Sequence, residues 1–223
     1  MIPLHDDNPT RTVSFVTMGL IGLNVLVFFY ELSLGTKDEI NALFAQAALV
    51  PAELVYAPSI AAYRTVFTSM LLHGGWAHLI FNMLFLWVFG NNIEDSVGHF
   101  RFAIFYLLCG IGAAAAQVTA QPDSTVPMIG ASGAVSGVLG AYLLLFPRAR
   151  VLMLLPIFIF IRFFYVPAWL FLIFWFGLQL FSGWATLSMV QHAGVAFWAH
   201  VGGFVAGLAL IPIFKKRRVR LFQ

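Results

Sequence analysis

Four polar side chains interrupt stretches of sequence that are otherwise apolar and long enough to cross a lipid bilayer. His78 and Asn82 lie in one stretch, Ser132 in a second and His200 in a third. Polar side chains inside a bilayer cost free energy, so their presence there indicates function by default. A serine near a neutral histidine is the arrangement used in nucleophilic catalysis, because the imidazole takes the proton of the attacking hydroxyl. These residues are candidates for a hydrolytic site.

The residues around the serine could also stabilise a negatively charged intermediate. Ser132 follows Gly130 at the start of a predicted helix, where free backbone N–H groups and the helix dipole favour negative charge. His78 and Asn82 lie on one face of their helix and offer side-chain donors, each typically worth about 3 kcal/mol of transition-state stabilisation. No carboxylate occurs between Ser124 and Phe214, the part of the chain predicted to form the fourth to sixth helices. The sequence therefore predicts a Ser132–His200 dyad.

The composition shows which elements must position these groups. Of the 223 residues, 61% are hydrophobic and 9% are charged. A soluble domain carries roughly a quarter charged residues, and a membrane span needs about 20 apolar ones. We predict an all-α polytopic membrane protein with six transmembrane helices. The predicted units are an N-terminal segment (1–12), a membrane domain (13–214) with a long outer loop (31–76), and a basic tail (215–223).

Basic residues orient the predicted helices, because cytoplasmic loops hold the excess of Lys and Arg. With the N-terminus in the cytoplasm, ten such residues lie inside and only Lys37 and Arg64 lie outside. Both termini are then cytoplasmic, and the run from Lys215 to Arg220 faces anionic lipid rather than nucleic acid. The run Val151–Ile161 is too short to cross and is predicted to be interfacial. The first apolar stretch has no cleavage site of the small-x-small type, which favours a retained helix in a bacterial inner membrane.

The four candidate residues share one depth in the predicted bilayer. Counted from the cytoplasmic helix ends, Ser132 and His200 each lie about 21 Å above the inner boundary. By the same count Asn82 and His78 lie at about 18 and 24 Å. All four thus meet in the outer half of the bilayer, so the site would open to the outer side.

Two GxxxG pairs accompany the serine and the histidine. Gly133 and Gly137 come directly after the serine, and Gly203 and Gly207 after the histidine. Small residues at this spacing let membrane helices approach closely, so the fourth and sixth helices are predicted to pack backbone to backbone. Either pair alone would favour a packing role only, because GxxxG is common in helical bundles. Gly130 is grouped with these packing glycines.

In these motifs the chain resembles the rhomboid family of intramembrane serine proteases, bacterial six-helix type. The segment from His73 to Asn82 resembles the family's HGxxxHxxxN motif, residues 130–133 resemble GxSG, and residues 199–207 resemble AHxxGxxxG. The resemblance implies Ser132 as nucleophile, His200 as general base and acid, and His78 and Asn82 as oxyanion stabilisers. It also implies no cofactor, membrane lipids as surroundings, and cleavage of transmembrane protein substrates near the outer end of their helices.

Three neighbouring positions carry further expectations. Ser136 stands where some members of the family have a tyrosine that stacks on the catalytic histidine, so the resemblance does not define how His200 is packed. His73 is predicted to cap the turn before its helix. Glu94 resembles an acidic residue at the inner end of the second helix and is expected to have a structural role.

Other functions fit the sequence less well. Cys109 lies in the wrong layer for a nucleophile and is expected to be a buried small side chain. A zinc site could use His73, His78, His192 and His200, but HExxH is missing and the serine would be unexplained, so no metal is expected. A small transporter would show repeated halves with interrupted helices. A relative that binds membrane helices without cutting them would be expected to lack the serine or the histidine.

Overall fold

The computed structural model describes residues 1–157, 160–187 and 195–223. Helices dominate these ranges, and the elements follow one another in this order: β1 (Ile2–Asp6), α1 (Phe15–Ser33), α2 (Lys37–Ala47), α3 (Pro51–Tyr56), α4 (Ile60–Thr68), a 3-10 turn (Ser69–Leu71), α5 (Trp76–Val97), α6 (His99–Ala120), α7 (Ser132–Leu145), β2 (Arg150–Ile157), β3 (Phe160–Pro167), α8 (Ala168–Leu187) and α9 (Phe197–Phe214).

Several helices are long and apolar enough to cross a membrane. Over the described ranges α1, α6, α8 and α9 meet this condition by length and composition. A fifth span results if Ile60–Leu71 and α5, which are bent by 81° at a short break, count as one. Helix α7 is apolar but has only 14 residues. The chain is therefore mostly helical and membrane-spanning, as predicted.

A small sheet corrects the all-α prediction. Strands β1, β2 and β3 form a three-stranded antiparallel sheet in that order, with Asp6 opposite Val151 and Arg150 opposite Pro167. The run Val151–Ile161, predicted to be interfacial, supplies β2 and the start of β3. Proline within these segments disfavours a helix, and their branched and aromatic side chains favour strands. The strands were not predicted because the run from Val151 to Ile161 was judged by its length, which is too short to cross a bilayer, and its pairing was not considered.

The N-terminal strand is held to the helices by one buried carboxylate. Asp6 is 2% exposed and accepts hydrogen bonds from Asn92 Nδ2, at 2.8 Å, and from the Tyr142 hydroxyl. Burial raises the pKa of the Asp6 carboxyl above its ordinary value, and the hydrogen bond from Tyr142 offsets part of this rise. Because Asn92 lies on α5 and Tyr142 on α7, strand β1 is tied to both helices.

Glu94 has the structural role that was expected, and the structure shows what it does. The side chain is fully buried and accepts hydrogen bonds from Val16 N at 3.0 Å and from both N and Oγ1 of Thr17 at 2.7 Å. The oxygen that accepts from Val16, Oε1, also lies 2.5 Å from His99 Nδ1. The first backbone N–H groups of a helix have no partner within the helix. The carboxylate of Glu94, which belongs to α5, therefore caps the N-terminus of α1.

Glu94→Ala is expected to lower the free energy of unfolding by about 3 kcal/mol, because it leaves buried donors at the start of α1 without an acceptor. Thermal or denaturant unfolding of the purified protein in detergent measures this. The neighbouring Asp95 provides the control, since it accepts hydrogen bonds from Arg11 N and Thr12 Oγ1 in a more exposed setting. Asp95→Ala should lower the free energy of unfolding by less than half as much. Equal losses for the two variants would contradict the stabilising role of the buried cap.

Candidate active site

Ser132 and His200 lie side by side in the bundle. Ser132 is the first residue of α7, and its Oγ lies 2.8 Å from Nε2 of His200 in the first turn of α9. The geometry allows the hydroxyl to donate to the ring nitrogen. The other ring nitrogen, Nδ1, lies 2.8 Å from the side-chain oxygen Oε1 of Gln179 on α8. The structure thus brings together the two residues of the predicted dyad and adds a third side chain.

Glycines let the two helices that carry the dyad meet at their backbones. A Cβ added to Gly203 would overlap the carbonyl oxygen of Gly133, and one added to Gly207 would overlap that of Gly137. Almost every residue of α7 is buried, and most of them are small. The absence of side chains at these positions thus permits the approach of α9 that brings His200 to Ser132.

Gly130 does not take part in this helix packing, contrary to the prediction. It lies before α7 with φ +113, a left-handed conformation that glycine adopts without strain. A Cβ there would lie 2.6 Å from the ring of His78. Gly130 is therefore needed for the turn into the helix and for the close approach of His78 to the chain beside Ser132.

A cavity of about 530 Å³ joins the four predicted residues. His78, Asn82, Ser132 and His200 all line it, together with apolar side chains from α5, α7 and α8. Asn82 is 6% exposed, and among the described residues nothing accepts a hydrogen bond from its Nδ2. A buried donor without a partner is costly, so a group that can accept a hydrogen bond would be held there.

Comparison with known proteins decides the family. Residues 61–217, more than half of the chain, match the family model of the Rhomboid domain. The chain belongs to the rhomboid family.

Named relatives within the rhomboid family are similar to parts of the chain. Rhomboid protease GluP of Bacillus subtilis is 34% identical over 139 residues, which cover 62% of this chain and 25% of the relative. Rhomboid protease AarA of Providencia stuartii is 30% identical over 139 residues, which cover 56% of this chain and 49% of the relative. The matched region thus spans a quarter to a half of the length of these relatives.

The packing of His200, which the rhomboid resemblance left undefined, is provided by α8. Ser136, at the position where some members of the family have a tyrosine, donates its hydroxyl to the carbonyl oxygen of Ser132 at 2.6 Å. The Trp175 ring lies 6.0 Å from the His200 ring, centroid to centroid, at an interplanar angle of 35°. Phe197 approaches the same ring edge-on at 6.4 Å. The imidazole is therefore flanked by two aromatic rings.

Sequence reasoning missed Gln179 altogether. The side chain is the only strongly polar one between Arg162 and Ser182, within an apolar stretch. The same rule that singled out Ser132 and His200, that a polar side chain within a span is functional by default, would have found it.

His73, predicted to cap the turn before α5, makes its side-chain hydrogen bond in the segment that precedes the helix and none to the helix N-terminus. The N-cap residue is Gly75, and no side chain bonds there. The Nδ1 atom of His73 lies 3.2 Å from the carbonyl oxygen of Leu71, and its backbone N–H donates to the buried Glu31 at 3.1 Å. Its ring meets the ring of His78 edge-on at 5.1 Å. The His73 ring therefore packs against the His78 ring. Glu31, which accepts from the His73 backbone, is a second buried polar residue that the sequence analysis did not identify.

The remaining sequence expectations concern Cys109 and metals. Cys109 is fully buried, as predicted, and packs against Gly137. His192, one of the four histidines weighed as zinc ligands, lies outside the described residues. Within the part of the chain that is described, no group of three or more His, Cys, Asp or Glu side chains is arranged to hold a metal ion.

Proposed function

We propose that the chain is an intramembrane serine endopeptidase that hydrolyses peptide bonds in or near transmembrane segments of membrane protein substrates. The observation that carries the proposal is the 2.8 Å contact between Ser132 Oγ and His200 Nε2 inside a membrane-spanning bundle. Membership of the rhomboid family and the printed names of the relatives GluP and AarA, both rhomboid proteases, agree with this activity.

The reaction follows from the positions of the side chains. His200 Nε2 takes the proton of Ser132 as Oγ attacks the carbonyl carbon of the substrate. The carbonyl oxygen becomes negatively charged, and Asn82, His78 and the first N–H groups of α7 are the donors available to it. His200 then gives its proton to the leaving amine, so that the peptide bond breaks and an acyl-enzyme forms. Water, activated by His200, hydrolyses this ester and restores Ser132.

The cavity limits which substrates can react. Its apolar wall includes Phe81, Phe85, Leu139 and Trp175, which suits the side chains of a membrane segment. A carbonyl within an intact helix is hydrogen-bonded to its own backbone, so its attack requires that the substrate helix be unwound at that point. The preferred substrates are therefore membrane helices with an unstable end near the outer surface.

The arrangement of the termini supports the proposed orientation, with six spans and both ends in the cytoplasm. Arg11 N donates to the Asp95 side chain at 3.1 Å, and Lys216 Nζ donates to the Asp95 carbonyl at 2.7 Å. The two terminal segments therefore lie at the same end of α5. The excess of basic residues at this end matches a cytoplasmic surface facing anionic lipid. We propose a bacterial inner membrane, with the site opening to the outer side.

A fluorophosphonate probe tests the proposed chemistry without a known substrate. The purified protein in detergent is expected to form a covalent adduct on Ser132, mapped by mass spectrometry. Ser132→Ala and His200→Ala should both lose the adduct, because one lacks the nucleophile and the other the base. Labelling that persists in His200→Ala would overturn the dyad. Folded protein that takes up no probe and cleaves no reconstituted membrane helix would favour a non-cleaving binder of membrane helices.

A further inference from the structure

The third side chain at the site, Gln179, has no assigned role in the mechanism above. His200 lies between two hydrogen-bond partners, with Ser132 Oγ at 2.8 Å from Nε2 and Gln179 Oε1 at 2.8 Å from Nδ1. The two ring nitrogens thus point to different helices, α7 on one side and α8 on the other. Building on the proposed function, we infer that Gln179 is a positioning residue that fixes the tautomer and the orientation of His200.

The tautomer follows from the donors and acceptors available. A neutral imidazole carries one proton, so one ring nitrogen donates and the other accepts. The Oε1 atom of Gln179 can only accept, and it therefore selects the form in which Nδ1 carries the proton. Nε2 is then unprotonated and faces Ser132. This is the form that a general base requires, since in the opposite tautomer Nε2 carries the proton and has no lone pair to take the serine proton.

The orientation of the His200 ring is fixed by the face of α8 that carries Gln179. Trp175 and Gln179 are four residues apart, so they lie one above the other on this helix. The indole of Trp175 packs near the imidazole, while the amide of Gln179 holds one ring edge. The ring of Phe176 stacks on Phe204 of α9 at 4.4 Å, which joins the two helices one turn further along. His200 and the side chains that hold it therefore come from three helices, α7, α8 and α9.

An amide suits this position better than a carboxylate would. An ionised carboxylate inside a bilayer carries a large desolvation cost, which a neutral glutamine avoids. The amide oxygen still accepts the hydrogen bond from Nδ1. Gln179 therefore orients His200 without adding a second charge to the buried site.

Nitrogen NMR of histidine-labelled protein tests the tautomer directly and needs no activity. In the wild type, His200 is expected to carry its proton on Nδ1, and the signal is identified by its loss in His200→Ala. Gln179→Met, which keeps the length of the side chain but removes the acceptor, should give a mixture of the two tautomers. A wild-type His200 protonated on Nε2, or a spectrum unchanged by Gln179→Met, would overturn the inference.

The kinetic test compares rates of fluorophosphonate labelling. Gln179→Met is expected to label Ser132 about fivefold more slowly, since a neutral hydrogen bond is typically worth about 1 kcal/mol. In a cleavage assay the loss should fall on kcat and leave KM unchanged. Gln179→Glu keeps an acceptor oxygen but carries the desolvation cost of a buried carboxyl group, so it should recover only part of the rate. Equal rates for Gln179→Met and wild type at equal thermal stability would contradict the role.

The control lies on the same helix. Thr186 of α8 donates its hydroxyl to the carbonyl of Gly183 at 2.7 Å, a bond within its own helix. Thr186→Val removes a polar group from α8 without touching His200, so it should label at the wild-type rate. Wild-type protein that neither labels nor cleaves would refute the proposed protease activity, whereas the NMR result would still decide whether Gln179 sets the tautomer.

Discussion

Ser132→Ala is expected to lower the rate of peptide-bond cleavage by at least about 10⁴-fold while preserving the fold and the binding of substrate. Removing the nucleophile of a serine protease leaves only the residual catalysis of the oxyanion site. The lost hydroxyl occupies little volume in the lining of the cavity, so the bundle should unfold at the wild-type temperature. Cleavage of a labelled membrane helix in proteoliposomes gives the rate, and co-purification of the uncut substrate reports binding.

Ser33 provides the matched control for this substitution. Its hydroxyl donates to the carbonyl of Tyr30 at 2.7 Å, at the end of α1 and away from the cavity. Ser33→Ala should cleave at the wild-type rate. Retained cleavage in Ser132→Ala would refute the proposed nucleophile, and loss of both cleavage and folding would show that the serine is needed for structure instead.

The helical part of the fold could be predicted because lipid imposes a simple rule. Long apolar stretches in lipid must form helices to satisfy their backbone groups, and over the described residues α1, α6, α8 and α9 are long and apolar enough to cross a membrane. The sheet could not be predicted by this rule, since β2 and β3 combine strand-forming residues with a length that does not cross a bilayer. Strand β1 was missed because its partner, β2, is distant in sequence and the pairing leaves no local pattern.

The site could be predicted as far as spacing and residue type determine it. Depth along a helix follows from 1.5 Å per residue, and the GxxxG pairs indicate close approach, so the meeting of Ser132 and His200 was accessible from the sequence. The partner of Nδ1 was not accessible in this way, because Gln179 is an amide and not one of the carboxylates expected as the third member of such a site. The packing around His200 depends on the rotation of α8, which periodicity does not fix in a helix that is apolar all round.

Gly207→Ala is expected to have the second large effect, because a single methyl group meets backbone atoms that cannot move aside. The added Cβ would overlap the carbonyl of Gly137 and lie 2.7 Å from its Cα, so α9 must shift away from α7. Overpacking of this kind costs about 1–3 kcal/mol of unfolding free energy. His200 lies on the same helix, and a displacement of about 1 Å at a catalytic group can lower the rate about 100-fold. Unfolding in detergent and the rate of fluorophosphonate labelling measure both effects.

Gly177→Ala separates this packing effect from the general effect of replacing glycine in a helix. A Cβ at Gly177, on α8, has no atom within 4 Å, so the methyl group enters open space. Alanine is the better helix former by up to about 1 kcal/mol, and the control should therefore be neutral or more stable. If Gly207→Ala were as stable and as reactive as Gly177→Ala, the contact between α7 and α9 would not set the distance between Ser132 and His200. A loss confined to Gly207→Ala would show that these helices hold the serine and histidine together through their backbones.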